Sequence, residues 1–258
     1  MSLMNRQRLA LAALVALALG LCGCAAPPGA AADIGSSPWA LQSGAPPVAA
    51  VLPAPTEWRH LTFPGKTATQ FGYTRKDGRD AIAARADASV SMLRRAVRIE
   101  PQDLGSVRFS WKVPDLIAGS DMAVREADDS PVRIVLVFEG DRSRFSPRDQ
   151  LLSELARAIT GEELPYATLM YVWCNQREPG TVIPSPRTGR IRKLVVESGA
   201  TSLNRWLDYE RDIRADYRKA FGEAPGALVG IGIMSDSDNT RSSTSAWYGP
   251  LRLGRSIR

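Results

Sequence analysis

The side chains best equipped for chemistry gather near the end of this 258-residue chain, in Asp236-Ser-Asp238-Asn-Thr240. Oxygen atoms recur there at alternate positions, as they do at the start of a calcium loop. The remainder of such a loop is missing, because Arg241 stands where the turn glycine belongs and Trp247 where a bidentate Glu belongs. Two expectations follow. Calcium is held with ligands from elsewhere in the chain, or the carboxylates cap the turn's amides and pair with arginine. Asp236, Asp238, Asn239, Trp247 and Tyr248 are the candidate ligand-binding residues. Glu126, Asp128 and Asp129 add further acids, and two carboxyls about 5 to 9.5 Å apart are what glycoside hydrolysis requires.

Other chemistries lack their parts. His60 is the one histidine, and no Ser or Cys is arranged around it in the sequence as a nucleophile would be. One histidine and so few cysteines leave a closed zinc site poorly supplied. No glycine-rich phosphate loop is present. The formal charge is +6, but arginines are scattered rather than clustered, so nucleic acid is not an expected partner.

The elements that must position these residues are mostly strands. Leu228-Val-Gly-Ile-Gly-Ile-Met reads as a buried strand, the Asp236 to Arg241 segment as its polar turn, and Ala246 to Leu253 as the closing strand. Val132 to Phe138 is apolar on both faces, which predicts a central, covered strand. Arg133 is the exception in that run, and a buried cation needs an anion. Asp236, placed where a second buried run turns polar, is the expected partner. Val107, Phe109, Trp111 and Val113 share one face of an alternating strand, and Trp111 and Trp173 read as core. Further strands are expected at Trp58 to Phe63, at Gln70 to Thr74 paired with Asp80 to Arg85 around Lys76-Asp-Gly78, as two short runs in Val90 to Ile99, at Ala167 to Trp173 and at Ile191 to Glu197. Two short helices are predicted. One follows Ser146-Pro147 and carries Leu151, Leu152, Leu155 and Ile159; the other runs from Asp212 to Phe221. About ten strands with two helices predict a mainly β chain, a jelly-roll-like antiparallel β-sandwich. Lipocalin-like closure is the alternative.

The N-terminus reads as an address. Arg6 and Arg8 precede an apolar run from Leu9 to Leu21, too short to span a bilayer but suited to an export signal. Leu21-Cys-Gly-Cys24 resembles the bacterial lipobox, in which the cysteine after a small residue is acylated and becomes residue one. The resemblance implies a signal peptide over 1–23, a lipidated Cys24, and, with Ala at position 25, the periplasmic face of the outer membrane. Acyl chains contribute about 0.8 kcal/mol per buried methylene, enough to hold the chain on a bilayer. Residues 24–55 are rich in Ala and Pro and are expected to be an unstructured tether, with Trp39 its one oddity. Cys174 is then left without a cysteine partner and reads as a buried thiol. The folded domain is expected over 56–258.

The runs Val107 to Val113, Tyr171-Val-Trp173, Arg211 to Gly222, Ile233 to Thr240 and Ala246-Trp-Tyr-Gly249 together resemble the bacterial family called domain of unknown function 3047. The family has no established activity, so the resemblance brings no catalytic residues with it. Its pattern is similar to galactose-binding jelly-roll sandwiches, which raises carbohydrate binding by analogy. The expected protein is an outer-membrane lipoprotein whose sandwich binds a glycan or an envelope partner without catalysis and without a cofactor. The competing expectation is a carboxylate-dependent hydrolase acting on envelope polysaccharide.

Overall fold

A computed structural model describes residues 34–44 and 57–255. Strands dominate, and they form two sheets. The larger sheet has the order β1 (Arg59–Thr62), β4 (Val90–Ile99), β11 (Leu228–Asp236), β6 (Ser130–Phe138), β7 (Ala167–Cys174), β9 (Ile191–Ser198), β8 (Val182–Pro184). The smaller sheet runs β10 (Leu207–Asp212), β5 (Leu104–Lys112), β12 (Ser243–Tyr248), β3 (Arg79–Asp87), β2 (Gln70–Lys76), with β13 (Arg252–Arg255) paired to β5. All named pairs are antiparallel except β7 with β9. The chain is a mainly β sandwich.

β11 lies between β4 and β6, and β6 between β11 and β7, so the two apolar runs occupy the middle of the larger sheet. Their inner faces meet the smaller sheet in a core holding Trp111, Tyr171, Trp173, Ile134 and Ile233. Phe109 stacks on Tyr171 with ring centroids 5.6 Å apart, joining the two sheets. Val135, Met170, Val172, Val195 and Met234 make a second apolar cluster on the other face of the larger sheet, beneath the segment that carries Met122. That second layer is why β6 is apolar on both sides.

Glycine in β11 serves close approach. A Cβ on Gly232 would stand 2.8 Å from the Leu93 carbonyl oxygen of β4. The Lys76-Asp-Gly78 turn behaves as its composition demands, with Asp77 at φ 51° and Gly78 at φ 78° joining β2 to β3. The two predicted helices are α2 (Pro147–Thr160) and α3 (Ile213–Phe221), preceded in the chain by α1 (Pro38–Gln42). Ser146 caps α2 by accepting from Asp149 N at 3.1 Å, and Asp212 caps α3 by accepting from Ala215 N at 3.0 Å. Gly161 and Gly222 close them in the left-handed region. On α2, Leu151 and Leu155 are exposed and Leu152 is half-buried.

Three expectations are corrected. Val90 to Ile99 is one continuous strand rather than two short runs, because it pairs along its length with β11. The closing segment is interrupted, with β12 ending at Tyr248 and β13 starting at Arg252. The tether is not unstructured throughout. Within it, α1 places Trp39 in the core with no exposed surface, its ring centroid 4.7 Å from that of Trp58. Gly44 N donates to Leu251 O at 2.7 Å, Leu253 N donates to Gly44 O at 3.0 Å, and Arg95 reaches the Ser43 carbonyl. Burial of the indole, together with the hydrogen bonds made by Ser43 and Gly44, offsets the ordering cost of the segment, which composition alone does not register. The folded unit thus includes the strap Ile34–Gly44, ahead of the expected boundary at 56. Cys24 and the signal segment lie outside the described residues.

Candidate functional site

The acidic turn is built by the end of β11, the start of β6 and the loop before it. Arg133 points away from the main core into the second layer, where it is buried. Its Nη2 lies 2.9 Å from Asp236 Oδ2 and 3.1 Å from Asp128 Oδ1, and its Nε donates to Asp236 Oδ1 at 3.1 Å. Lys193 of β9 enters the same space, donating to Asp128 Oδ2 at 2.6 Å and to Met122 O at 2.8 Å. Two cations and two carboxylates therefore meet in a buried, neutral quartet. Burial pushes the Asp236 carboxyl up to about 6 against the pull of Arg133. Burial, with Arg133 beside it, pushes the Lys193 ammonium down to about 8 while Asp128 opposes. The paired carboxylates hold the Arg133 guanidinium above its ordinary range despite its burial.

Asp129 faces the turn itself. Its carboxylate accepts from Thr240 N at 2.7 Å, Thr240 Oγ1 at 2.6 Å, Asn239 N at 3.2 Å and Asn239 Nδ2 at 2.9 Å. Burial would raise this carboxyl, yet those donors hold it below its ordinary value. Asp238 takes Lys66, and Asn239 Oδ1 accepts from Arg187 Nη2 at 2.9 Å. Oxygens of Asp129, Asp236 and Asp238 do lie within 4.8 Å of one another. What surrounds them are donors: two backbone amides, a side-chain amide and a hydroxyl on Asp129, an ammonium on Asp238, and a guanidinium and the Ser130 amide on Asp236. A cation wants free oxygen lone pairs, and these are already matched, so the donor set does not fit calcium.

The geometry also revises the candidate ligand residues. Tyr248 is buried in the core, its hydroxyl donating to Met234 O at 2.6 Å and lying 2.9 Å from Ser235 Oγ, so it offers no ligand surface. Asp236 is equally enclosed. Asp238 and Asn239 are spent within the turn. Trp247, one residue from Tyr248, points the other way, as strand alternation requires. His60 does have a serine beside it, with Nε2 2.8 Å from Ser91 Oγ. That hydroxyl is buried and also receives Thr69 N at 2.9 Å, so it pins a strand and is closed to a substrate. Trp111, Trp173 and Cys174 are core residues.

Two open features remain. A cleft of about 710 Å³ lies on the outer face of the larger sheet over Ala96, Val137 and Gly230. Its rim is occupied by the pairs Arg98 with Glu139 and Arg142 with Glu163, and its two aromatic residues, Phe138 and Tyr166, are buried, the latter under Arg190. The outer face of the smaller sheet is different. Gly72, Ala83, Trp247 and Lys112 stand in one row across β2, β3, β12 and β5. A Cβ on Gly72 would meet nothing within 4 Å, so the space beside the half-exposed indole is open. Lys76 Nζ sits 4.5 Å from the Trp247 ring centroid. Beyond it, Arg79 covers Trp206 at 5.3 Å and reaches Asp208 at 2.8 Å. Arg79 also lines a groove of about 610 Å³ with Gln42, Asp80, Arg108 and Glu210. Trp206, Lys76 and Lys193 were not legible as site residues. Trp206 sits among turn residues, and the two lysines gain meaning only from strands distant in sequence.

Fold and site together define the class: a two-sheet sandwich locked on one side by a buried ionic cluster, with an open aromatic face on the other. The chain belongs to the family described as protein of unknown function DUF3047, whose model matches residues 56–252. No curated protein sequence matches it. Among solved structures it is similar to the family 11 carbohydrate-binding module of Lic26A-Cel5E from Clostridium thermocellum, at 7% identity and a TM-score of 0.38, covering 78% of this chain and 89% of that one. It is also similar to the endo-1,4-β-glucanase CelB2, at 9% identity and a TM-score of 0.40, covering 78% and 97% of the two chains.

Proposed function

We propose that this domain is a non-catalytic glycan-binding module whose binding surface is the outer face of the smaller sheet, and that a lipidated Cys24 holds it at the periplasmic face of the outer membrane. The observation that supports the binding reading is the Trp247 row. A half-exposed indole stands in one row with Ala83 and Gly72, with open space over the glycine, and a polar groove lined by Arg79, Asp208, Arg108 and Glu210 lies on the same sheet. Indole faces stack on the C–H faces of sugar rings, and paired carboxylates and guanidiniums supply hydroxyl partners. The carboxylates closest to one another are those of the acidic turn, where donors saturate them and no space admits a ring and a water between them. That arrangement argues for binding rather than hydrolysis.

Titration calorimetry against soluble polysaccharides, with chromatography of the recovered sugar, tests this. Binding that weakens about tenfold or more in Trp247→Ala, with the polymer recovered intact, is the expected result. Shortened products from wild-type protein would overturn the non-catalytic reading, and binding unchanged in Trp247→Ala would move the site elsewhere.

A further inference from the structure

The charges around Trp247 specify the proposed ligand further. Of the cations on this face, Arg79 is matched by Asp208 at 2.8 Å and Arg108 by Glu210 at 3.0 Å. Lys112 is matched by Asp77 at 2.7 Å, a bond that also holds the Asp77 carboxyl below its ordinary value. Two other cations of this face, Lys76 and Arg85, are not matched in this way. Lys76 has its ammonium over the Trp247 ring, and Arg85 is exposed in the neighbouring row, across from Gln70 on one side and Ser245 on the other. Among the described residues neither Lys76 nor Arg85 makes an ion pair, although acids are plentiful on the same sheet. The floor between them is small and uncharged, formed by Gly72 and Ala83.

Resting on the glycan reading, we infer that the Trp247 surface takes an anionic sugar. One ring stacks on the indole with its acidic substituent met by Lys76, and Arg85, beyond the Gly72 and Ala83 floor, meets an acid on a neighbouring ring. Lys76 sits over the ring without an ion pair, and Asp77 acts on it only at longer range, so an anion gains a charge partner there without displacing a bonded carboxylate. A neutral sugar would stack on the same ring and leave both cations where they are. A carboxylate and a sulfate or phosphate ester share this chemistry, and matched polymers separate the sources.

The test measures binding of the protein to polygalacturonate against its methyl-esterified form, and to dextran sulfate against dextran. Linear polyglutamate serves as a polyanion without rings. A preference of about tenfold for the charged member of either pair is expected, and which pair shows it identifies the acid. The preference should fall as salt rises and shrink in Lys76→Gln and in Arg85→Gln, neither of which breaks an ion pair, so the melting point should move little. Equal binding of charged and neutral partners would overturn the anionic inference while leaving the glycan reading standing. Polyglutamate binding as tightly as the sugars would also overturn it, because the ring would then contribute nothing. Failure of every polysaccharide, neutral ones included, would remove the glycan reading with it.

Discussion

Arg133 carries the tightest argument at the scale of single residues. It is a buried cation in the middle of a sheet, and Asp236 and Asp128 share it from two different segments. Removing one member of a buried pair strands the other charge, which costs roughly 3 to 5 kcal/mol. Arg133→Met and Asp236→Asn should each lose about that much in urea unfolding, and the double variant should lose less than the two singles added together. Calcium and chelator should leave the wild-type midpoint where it is, since donors already occupy the carboxylates. Additive losses would mean that the two side chains do not depend on each other. Lys193 supplies a pH test. Folded, it releases its proton near 8, and unfolded near its ordinary 10.5. Between those values the unfolded chain binds more protons, so stability rises with pH. Unfolding at pH values from about 8 to 9.5 should show that rise in wild type and a flatter profile in Lys193→Met. The window stops there because burial pushes the Tyr217 and Tyr248 hydroxyls well up, an effect that lowers stability once unfolded tyrosines ionise. Identical slopes would mean that Lys193 is not buried as an ammonium.

The strap Ile34–Gly44 is the element with the largest consequence for handling the protein. Ser37 caps α1 by accepting from Ala40 N at 3.2 Å, which sets Trp39 facing Trp58. Beyond α1, Ser43 Oγ accepts from Leu251 N at 3.1 Å, tying the strap to the segment between β12 and β13. Deleting a buried Trp side chain costs about 3 to 5 kcal/mol. Trp39→Ala should lose that amount, and a protein beginning at Glu57 should lose at least as much against one beginning at Asp33. Equal melting of the two truncations would mean that the strap contributes no net stability. Because Gln42 also lines the polar groove, donating to Asp80 at 2.8 Å, the shorter protein is a poor reagent for binding studies. α2 sets the opposite expectation. Leu151 and Leu155 are exposed, so Leu151→Ser should shift stability by no more than about 0.5 kcal/mol.

For the whole molecule, the proposed anchor and the strap combine into a distance. If Cys24 carries the lipid, residues 24–33 lie between it and the strap in the sequence, and ten residues fully extended span at most about 36 Å. A tether that stayed free to residue 55 would allow roughly three times that. Metabolic labelling with a palmitate analogue and membrane fractionation should find wild type labelled and membrane-bound and Cys24→Ser in the soluble fraction. Persistent labelling of Cys24→Ser would sink the assignment.

Much of this fold is written locally. The alternation of Val107 to Val113, the Asp77-Gly78 turn, the caps at Ser146 and Asp212 and the glycines that end the helices are short-range signals, and each appears where its chemistry directs. The need of Arg133 for an anion was legible too, because a charge within an apolar run demands one. What the sequence leaves open is everything that depends on which face of which strand meets which neighbour. Asp236 and Tyr248 look as available on paper as Trp247, yet strand parity sends Tyr248 inward and Trp247 out, and Asp236 is enclosed by the second layer on the far face of the larger sheet. Trp39 lies in a stretch whose composition promises no structure, and it is ordered because Trp58 and the ends of β12 and β13 wait to receive it. Lys193 and Asp128 join Arg133 only because β9 and the loop before β6 are folded over one face of the larger sheet. Local propensity acts over a few residues, whereas burial and charge pairing are settled by contacts between segments a hundred residues apart, and those contacts exist only in the assembled sandwich.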